Sequence, residues 1–244
     1  DDENGDFPLL SPMSILAGKG GFLAALHFQQ SVHGGSGLLL SRVNGCPTPK
    51  VAIIGCGNSG IGAAELAAGF GNKVTMLDIS KKSMEKAALK LPVNVEFVTS
   101  NRQNLVNCLK ECDVLINCIL WPKTRKDHLV NREDLKLMKP GAMIETCRST
   151  SHTDPVYVVD GITHYCVDNI PSAFSQTASV MLSTVTSLFA RRIADLGPEK
   201  AMRADAHLRR GLTTYYGDLC LLETAEKHNM PYTDALDAFA KRGE

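Results

Sequence analysis

Three glycines at fixed spacing, followed by an acid, are the residues of this chain most suited to binding a ligand. A GxGxxG pattern follows the apolar residues 51–54, and an acid ends the next apolar run, 23 residues after the first glycine: Gly55, Gly57, Gly60 and Asp78. The first glycine permits a sharp turn, the second lets a pyrophosphate approach the backbone, and the third lets a helix pack closely on a strand. An acid at this distance accepts hydrogen bonds from ribose hydroxyls. The pattern therefore predicts a dinucleotide site.

The helix that follows the turn has a part in this site. It is predicted to start near Ser59, so its unpaired N–H groups and positive dipole end point at the phosphates. A glycine turn in an α/β protein that binds nothing is the alternative, but it gives no reason for the position of the acid. Asp78 favours NAD over NADP, because its charge repels a 2′-phosphate.

Strands and helices alternate along the chain around this motif. Strands are predicted at residues 51–54, 95–99 and 113–120 and over an apolar run that ends at Asp78, with a short fifth strand at 142–144 and two more around a turn at 156–159 and 162–167. The continuous apolar character of 113–120 is typical of a strand that is buried on both faces of a parallel sheet. The pattern predicts an α/β fold with a doubly wound parallel (Rossmann) sheet.

Long helices are predicted on both sides of this region. The first starts at Ser11 and contains Gly18, Gly20 and Gly21, which indicate either a weak helix or one packed closely on a neighbour. A second long helix is predicted at 173–196, and the tail that follows it is expected to be helical and polar.

The composition of the chain limits the classes of protein to which it can belong. The net charge of zero over 244 residues argues against a general nucleic-acid binder. No apolar run approaches the roughly 18 residues of a membrane span, and the acidic start lacks the features of a signal peptide. Eight scattered cysteines are typical of free thiols in a reducing cytoplasm, where we expect the protein.

Other residues that suit chemistry have simpler interpretations. Cys108 and Cys112 have helical spacing that suits a metal, but a structural zinc needs four ligands and we predict no metal site. His33, in a glycine loop, is more typical of a local hydrogen-bonding residue than of a catalyst. His152 and Asp154 precede a proline and indicate turn chemistry.

Blocks along nearly the whole chain resemble one family, the alanine dehydrogenase and transhydrogenase NAD-subunit family. They are PLLSPMS, HGGSG, KVAIIGCGNSG, VTMLD, NCILWP, LKLMKPGAMI and SHTDPVYVVDGITHYCVDNIPSAF. HGGSG and HYCVDNIP are more specific than the glycine pattern, and they are more similar to the alanine dehydrogenase branch.

The resemblance implies an NAD-dependent oxidoreductase that catalyses the reversible oxidative deamination of L-alanine to pyruvate and ammonia. It also implies a small amino acid or 2-oxo acid as substrate and a homo-oligomeric assembly. A non-catalytic NAD(H)-binding subunit, a transhydrogenase relative and an opine-type dehydrogenase remain alternatives.

The glycine pattern and the resemblance together indicate a set of cofactor contacts. These are Gly55, Gly57, Asn58, Ser59, Gly60, Asp78, Ser14, Ser100, Ile119, Leu120, Val167 and Asn169. Asn169 has independent support, since an amide at the end of a strand suits the nicotinamide carboxamide. A turn-forming Asn before Pro171 is the alternative.

Two segments of the family have no counterpart here. One precedes PLLSPMS and carries the Arg, Lys and His that bind the oxo acid. The other carries a carboxylate and would stand where Ile144 runs directly into Glu145. We therefore expect that the chain is part of a longer protein, and no catalytic residue is named. The predicted organisation is a loose lead at 1–10, an NAD-binding domain at 11–176, and the C-terminal remnant of a substrate domain at 177–244.

Overall fold

The computed structural model describes residues 7–119, 127–145 and 148–241. These residues divide into two compact units. The first unit comprises residues 11–178, and the second comprises residues 179–241 together with 7–10.

Seven strands of the first unit form one sheet within the described residues. They are β1 (Lys50–Ile54), β2 (Lys73–Asp78), β3 (Val95–Thr99), β4 (Val114–Asn117), β5 (Met143–Glu145), β6 (Val156–Val159) and β7 (Ile162–Tyr165). Their order is β3-β2-β1-β4-β5-β7-β6, and every neighbouring pair is parallel except the antiparallel pair β6 and β7. The predicted doubly wound α/β Rossmann sheet is confirmed, with an antiparallel strand at one side. We call the edge where the parallel strands end the carboxyl edge.

Helices cover both faces of this sheet. They are α1 (Ser11–Phe28), α2 (Asn58–Gly69), α3 (Lys81–Ala88), α4 (Arg102–Glu111) and α5 (Arg132–Leu135). Alternate strand residues point to opposite faces, so Ile53 packs in one core with α1 and α2, while Ile54 packs in a second core with α4 and α5. Burial on both faces explains why the strands are apolar along their length.

The glycines of α1 let it lie directly against α2. A Cβ on Gly18 would be 1.8 Å from the carbonyl oxygen of Ser59, and one on Gly62 would be 2.3 Å from that of Ile15. The interpretation of a closely packed helix is confirmed, and that of a weak helix is wrong.

The fourth strand is shorter than predicted. It ends at Asn117, whereas the apolar run predicts a strand up to residue 120. Its neighbour β1 ends at Ile54 because the chain turns at Gly55, and the amide of Cys118 makes the last bond to β1, at 2.7 Å from the Ile54 oxygen. Beyond that bond β1 offers no partner to Ile119, and Leu120 lies outside the described residues.

The fifth strand is short, as predicted. Glu145 follows Ile144 directly in β5 and pairs with Ile116 of β4. An acid therefore stands at the carboxyl end of β5.

The second unit is largely helical. Its helices are α6 (Ser175–Leu196, whose first residues belong to the first unit), α7 (Pro198–Ala204), α8 (Ala206–Arg210), α9 (Leu222–His228) and α10 (Ala235–Ala240). A hairpin of β8 (Thr214–Tyr215) and β9 (Asp218–Leu219) interrupts them, so the prediction of a wholly helical tail is wrong. Tyr216 and Gly217 both have positive φ, which is the backbone of a tight hairpin turn.

The described part of the chain contains no helix long and apolar enough to cross a membrane. Seven of the cysteines lie in this part, and all are free thiols.

Candidate functional site

Two glycines of the turn after β1 are required by close contacts within the protein. Gly55 has a φ of +103°, and a Cβ on it would meet the side chain of Ile119 and the backbone of Cys118. A Cβ on Gly60 would lie 1.9 Å from the carbonyl oxygen of Gly55. The fold itself therefore needs glycine at both positions, with or without a ligand.

Gly57 stands in a different environment. Its φ of −77° and ψ of −173° suit any residue, and a Cβ on it would meet no protein atom within 4 Å. Neither backbone strain nor packing explains a glycine here. Open space beside the backbone at the start of a helix is what an approaching pyrophosphate needs.

The start of α2 presents backbone groups rather than side chains to this space. Gly57 occupies the N-cap and has no side chain with which to bond the first turn. Asn58 Nδ2 donates to Ser11 Oγ at 2.8 Å, and the Ser59 side chain is hydrogen-bonded to the thiol of Cys118. These two side chains hold the turn in place, so their contribution to anion binding would come from backbone N–H groups.

Asp78 lies at the end of β2, with its carboxylate fixed against the turn. Its Oδ2 accepts from the backbone N–H of Cys56 at 2.7 Å, and its Oδ1 accepts from that of Ser80 at 2.8 Å. A carboxylate has about four lone-pair positions. The positions that remain can accept hydrogen bonds from the two hydroxyls of a ribose.

A cavity of about 570 Å³ opens beside Asp78 at the carboxyl edge. Ser100 and Ile119 line it with Arg102, and the backbone N–H of Ser100 donates to the carbonyl oxygen of Asp78 at 2.8 Å. The guanidinium of Arg102 is itself bonded to the buried carboxylate of Asp134. The structure thus brings three of the predicted cofactor residues to one cavity. We call it the Asp78 cavity.

The other predicted cofactor residues lie around this group or outside the described chain. Ser14 is one turn after Ser11 and therefore on the side of α1 that faces the start of α2. Val167 is buried and Asn169 is exposed, and both follow β7 at the carboxyl edge. Leu120 lies outside the described residues.

Two cysteines near the turn are neutral thiols. Burial, with a smaller contribution from the Asp78 carboxylate, raises the pKa of Cys56 to about 12. Burial also raises the pKa of Cys118 to about 12, against the opposing effect of its hydrogen bond with Ser59. Because the thiolate is the nucleophile, these two residues serve packing rather than covalent chemistry.

Glu145 is a candidate functional residue that the sequence interpretation missed. A Cβ on Gly21 of α1 would lie 2.6 Å from both of its carboxylate oxygens, so the acid lies directly against that helix. Burial, and then the charge of Glu145, raises the pKa of Tyr165 to about 12. An acid directly after the apolar residues Met143 and Ile144, at a strand end, is the pattern that could have indicated it.

The fold agrees with the comparisons with known proteins. Residues 22–221 match the family described as alanine dehydrogenase/PNT, C-terminal domain. The match spans the glycine turn, Asp78 and the segment after β7. This chain belongs to that family. The resemblance that the sequence blocks indicate is confirmed.

The relatives of this family member include several alanine dehydrogenases. That of Staphylococcus haemolyticus (strain JCSC1435) is 36% identical over 243 residues, which cover 95% of this chain and 65% of the relative. A solved L-alanine dehydrogenase is 32% identical, with a TM-score of 0.87 over 94% of this chain and 66% of that one. The chain thus spans 65% of the length of the first of these relatives.

A transhydrogenase from Sinorhizobium meliloti has the same fold. Its sequence is 20% identical to this chain. The two structures superpose with a TM-score of 0.69 over 88% of this chain and 61% of that one. At this identity the likeness concerns the fold alone.

In this alanine dehydrogenase/PNT family member, His33 lies away from the carboxyl edge. Gln29 Nε2 donates to the carbonyl oxygen of Gly141 at 3.0 Å, just before β5, and the hydroxyl of Ser36 donates to Gln29. These bonds tie the loop of His33 to the amino ends of the strands. The His33 ring stacks on His27, with centroids 3.9 Å apart. This geometry favours a local role over catalysis.

His152 and Asp154 make separate contacts. The backbone N–H of Asp154 donates to the hydroxyl of Ser151 at 3.2 Å, which is turn chemistry as predicted. His152 Nε2 lies 2.9 Å from both the carbonyl oxygen of Asn169 and the hydroxyl of Ser172. The histidine therefore joins the turn before β6 to the segment after β7.

Proposed function

We propose that this chain is the NAD-binding part of an oxidoreductase that interconverts L-alanine with pyruvate and ammonia. The single observation that carries the proposal is the open space at Gly57, between the uncapped start of α2 and the fixed carboxylate of Asp78. Membership of the alanine dehydrogenase/PNT family supports the choice of dinucleotide chemistry.

The residues of the site fit NAD at the carboxyl edge. The backbone at Gly57 and the start of α2 would hold the pyrophosphate, and Asp78 would accept hydrogen bonds from the ribose. Ser100 and Ile119 line the cavity that would receive the adenosine. When bound, NAD supplies the acceptor for a hydride.

Asp78 supports NAD rather than NADP as the cofactor. Both of its oxygens accept backbone N–H groups, so the carboxylate is fixed beside the ribose position, where it would repel a 2′-phosphate. Among the described residues that line the same cavity, Arg102 is a cation that would suit a 2′-phosphate, but Asp134 binds its guanidinium.

We propose that Asn169 orients the nicotinamide. Its carbonyl oxygen accepts from the hydroxyl of Ser172 at 2.8 Å and contacts His152, so its backbone is held by the turn. Asn169 follows β7 and is exposed to solvent. The turn role and the ligand role are therefore compatible, because they use different atoms.

The groups that bind and activate the substrate are expected in a longer protein. We propose that residues 177–244 are the C-terminal remnant of a substrate domain, and that 11–176 are the NAD-binding domain. The same family resemblance supports a small-molecule substrate, a homo-oligomer and a cytoplasmic location.

A non-catalytic NAD(H)-binding subunit is the second candidate. The observation that favours it is that the groups described around the glycine turn and Asp78 suit cofactor binding, and none of them is assigned to catalysis. The two candidates differ in turnover and agree in binding.

Two measurements on the full-length protein, in which the groups that act on the substrate are expected, separate them. Calorimetric titration with NADH measures binding, and the absorbance of NADH follows the reaction with L-alanine and NAD, or with pyruvate, ammonium and NADH. Binding with turnover in either direction supports the oxidoreductase. Binding without turnover in both directions supports the subunit, and absence of binding contradicts both.

A further inference from the structure

The backbone oxygen of Asn169 accepts hydrogen bonds from two other residues. The hydroxyl of Ser172 donates to it at 2.8 Å, and Nε2 of His152 lies 2.9 Å from it. A carbonyl oxygen can only accept, so Nε2 carries the proton and donates. The same Nε2 lies 2.9 Å from the Ser172 hydroxyl, which completes a triangle around this oxygen. The backbone of Asn169 is thus held by a side chain that lies 17 residues earlier in the sequence.

The segment that carries His152 is itself tied to the end of β7. The backbone N–H of Thr150 donates to the carbonyl oxygen of Cys166 at 2.9 Å, and the backbone N–H of Cys166 donates to the Thr150 hydroxyl at 3.1 Å. Thr150 also pairs with Val167 in a parallel bridge. The ring of His152 therefore contacts Asn169 from a backbone that is fixed to the same strand end.

The side chain of Asn169 is not used to cap the turn that follows it. Asn169 occupies the N-cap of a 3₁₀ turn, Ile170–Phe174, where an Asn side chain usually accepts from a backbone N–H of the first turn. No such bond is made here. The turn packs on α1 instead, since a Cβ on Gly20 would collide with the side chains of Ile170 and Phe174. The turn therefore does not need the amide of Asn169, which suits a role in binding a ligand.

The end of β7 is well separated from Asp78. Asp78 ends β2, and the strand order places β1, β4 and β5 between β2 and β7. Four spacings between neighbouring strands amount to about 19 Å. A change in the contacts of Asn169 should therefore leave the surroundings of Asp78 intact.

We propose that His152 is a positioning residue for the nicotinamide. Its Nε2–H holds the backbone oxygen of Asn169 and so fixes the direction in which the amide of that residue points. Direction matters because a hydrogen bond weakens steeply when it is misaligned. The inference rests on the proposed function, in which Asn169 orients the nicotinamide, and it adds a residue that acts on the cofactor only through Asn169.

Two ligands separate the halves of the cofactor site in calorimetric titrations of the full-length protein. They are NADH and ADP-ribose, which lacks the nicotinamide. His152→Leu removes the donor from an exposed side chain, so NADH should bind about threefold to tenfold more weakly, the effect of one lost hydrogen bond. ADP-ribose should bind within about twofold of its affinity for the parent, because its contacts lie at Asp78 and the glycine turn. Equal losses with both ligands, or no loss with NADH, would overturn the positioning role.

Two amide substitutions at the same position form a matched pair. The amide nitrogen of His152→Gln reaches about as far as Nε2 and can donate to the oxygen of Asn169. His152→Asn carries the same amide on a shorter side chain, which does not reach that oxygen. We expect NADH affinity close to that of the parent in His152→Gln and a loss in His152→Asn similar to that in His152→Leu. Equal NADH affinity in the two amide variants would overturn a role for this hydrogen bond.

A double-mutant cycle distinguishes this inference from the proposed function. Asn169→Ala keeps the backbone oxygen and removes the amide, so it should weaken NADH and leave ADP-ribose unchanged. Adding His152→Leu to it should weaken NADH no further, because the histidine acts through that amide, and additive losses would overturn the inference. A loss in Asn169→Ala without one in His152→Leu would overturn the positioning role and leave the proposed function intact. A parent protein that binds neither ligand would contradict both.

Discussion

The carboxylate of Asp78 accepts a hydrogen bond from the backbone N–H of Cys56, with 2.7 Å between Oδ2 and the amide nitrogen. This bond joins the end of β2 to the glycine turn after β1. The acid that we propose to bind a ribose therefore also fixes the turn that we propose to bind the pyrophosphate. The two halves of the motif form one structural unit, although 22 residues separate them.

Asp78→Asn should weaken NAD binding. The amide loses the charge that strengthens hydrogen bonds from the ribose hydroxyls, so we expect a loss of about 1.5–3 kcal/mol in binding free energy. Calorimetric titration with NAD measures it. A control is Glu96→Gln, which removes an exposed acid near the start of β3, away from the carboxyl edge. Equal NAD affinity in Asp78→Asn and the parent would exclude the ribose role.

Gly18→Ala should destabilise the first unit. Its Cβ would lie 1.8 Å from the Ser59 carbonyl oxygen, so α1 and α2 would have to move apart. We expect the free energy of unfolding to fall by about 1–3 kcal/mol, the usual cost of overpacking. Denaturant titration measures it.

Gly69→Ala is the matched control for this helix pair. Gly69 is the last residue of α2, and a Cβ on it would meet nothing within 4 Å. We expect a change of less than about 1 kcal/mol, in the stabilising direction because alanine restricts the unfolded chain. Similar destabilisation by both substitutions would show that contact with α1 is not the cause.

Asp134→Asn should lower stability in a pH-dependent way. Hydrogen bonding from Arg102, assisted by the backbone N–H of Asn131, holds the pKa of Asp134 below its ordinary value. The ionised carboxylate is 2% exposed, and we expect its loss to cost about 1.5–3 kcal/mol at neutral pH. A carboxyl group with a lowered pKa stabilises the fold fully above its unfolded pKa, and this contribution is lost as the pH falls through the folded pKa.

The difference in unfolding free energy between the parent and Asp134→Asn should therefore be constant above about pH 5 and should shrink below about pH 4. Denaturant titrations across this range measure it. Asp160→Asn is the control, because Asp160 pairs with an exposed Arg132 and should contribute little. A difference that grows toward low pH would contradict the assigned direction of the pKa shift.

Much of the fold follows from local patterns in the sequence. The apolar strands and the turn residues between them predict the order of elements, because strands buried on both faces are apolar along their length. The apolar run predicts a fourth strand that is too long. Hydrophobicity alone does not reveal that the chain of the neighbouring strand β1 has already turned away at Gly55. The β8–β9 hairpin has no clear sequence signal, because its turn, at Tyr216 and Gly217, lacks the usual Asn-Gly or Asp-Gly pair.

The candidate site is predictable where it depends on backbone geometry. The glycine spacing and Asp78 are enough to indicate the pyrophosphate and ribose positions, because the turn and the strand end that carry them are local features of the chain. Contacts between distant segments are not predictable in this way: neither the carboxylate of Glu145 against Gly21 nor the stack of Arg148 on Tyr157 has a sequence spacing that indicates it. Such contacts depend on how α1 and the β6–β7 pair pack, which local patterns do not specify.

Gly57→Ala tests the central claim most directly, because the fold gives no reason for a glycine at this position. A Cβ there meets no protein atom, so the free energy of unfolding should change by less than about 1 kcal/mol. Gly60→Ala, whose Cβ would lie 1.9 Å from the Gly55 oxygen, should destabilise the protein in the same assay. Calorimetric titration of folded Gly57→Ala with NAD should show affinity at least tenfold weaker than that of the parent. Unchanged affinity would contradict the account, because the space beside Gly57 would then not hold the pyrophosphate.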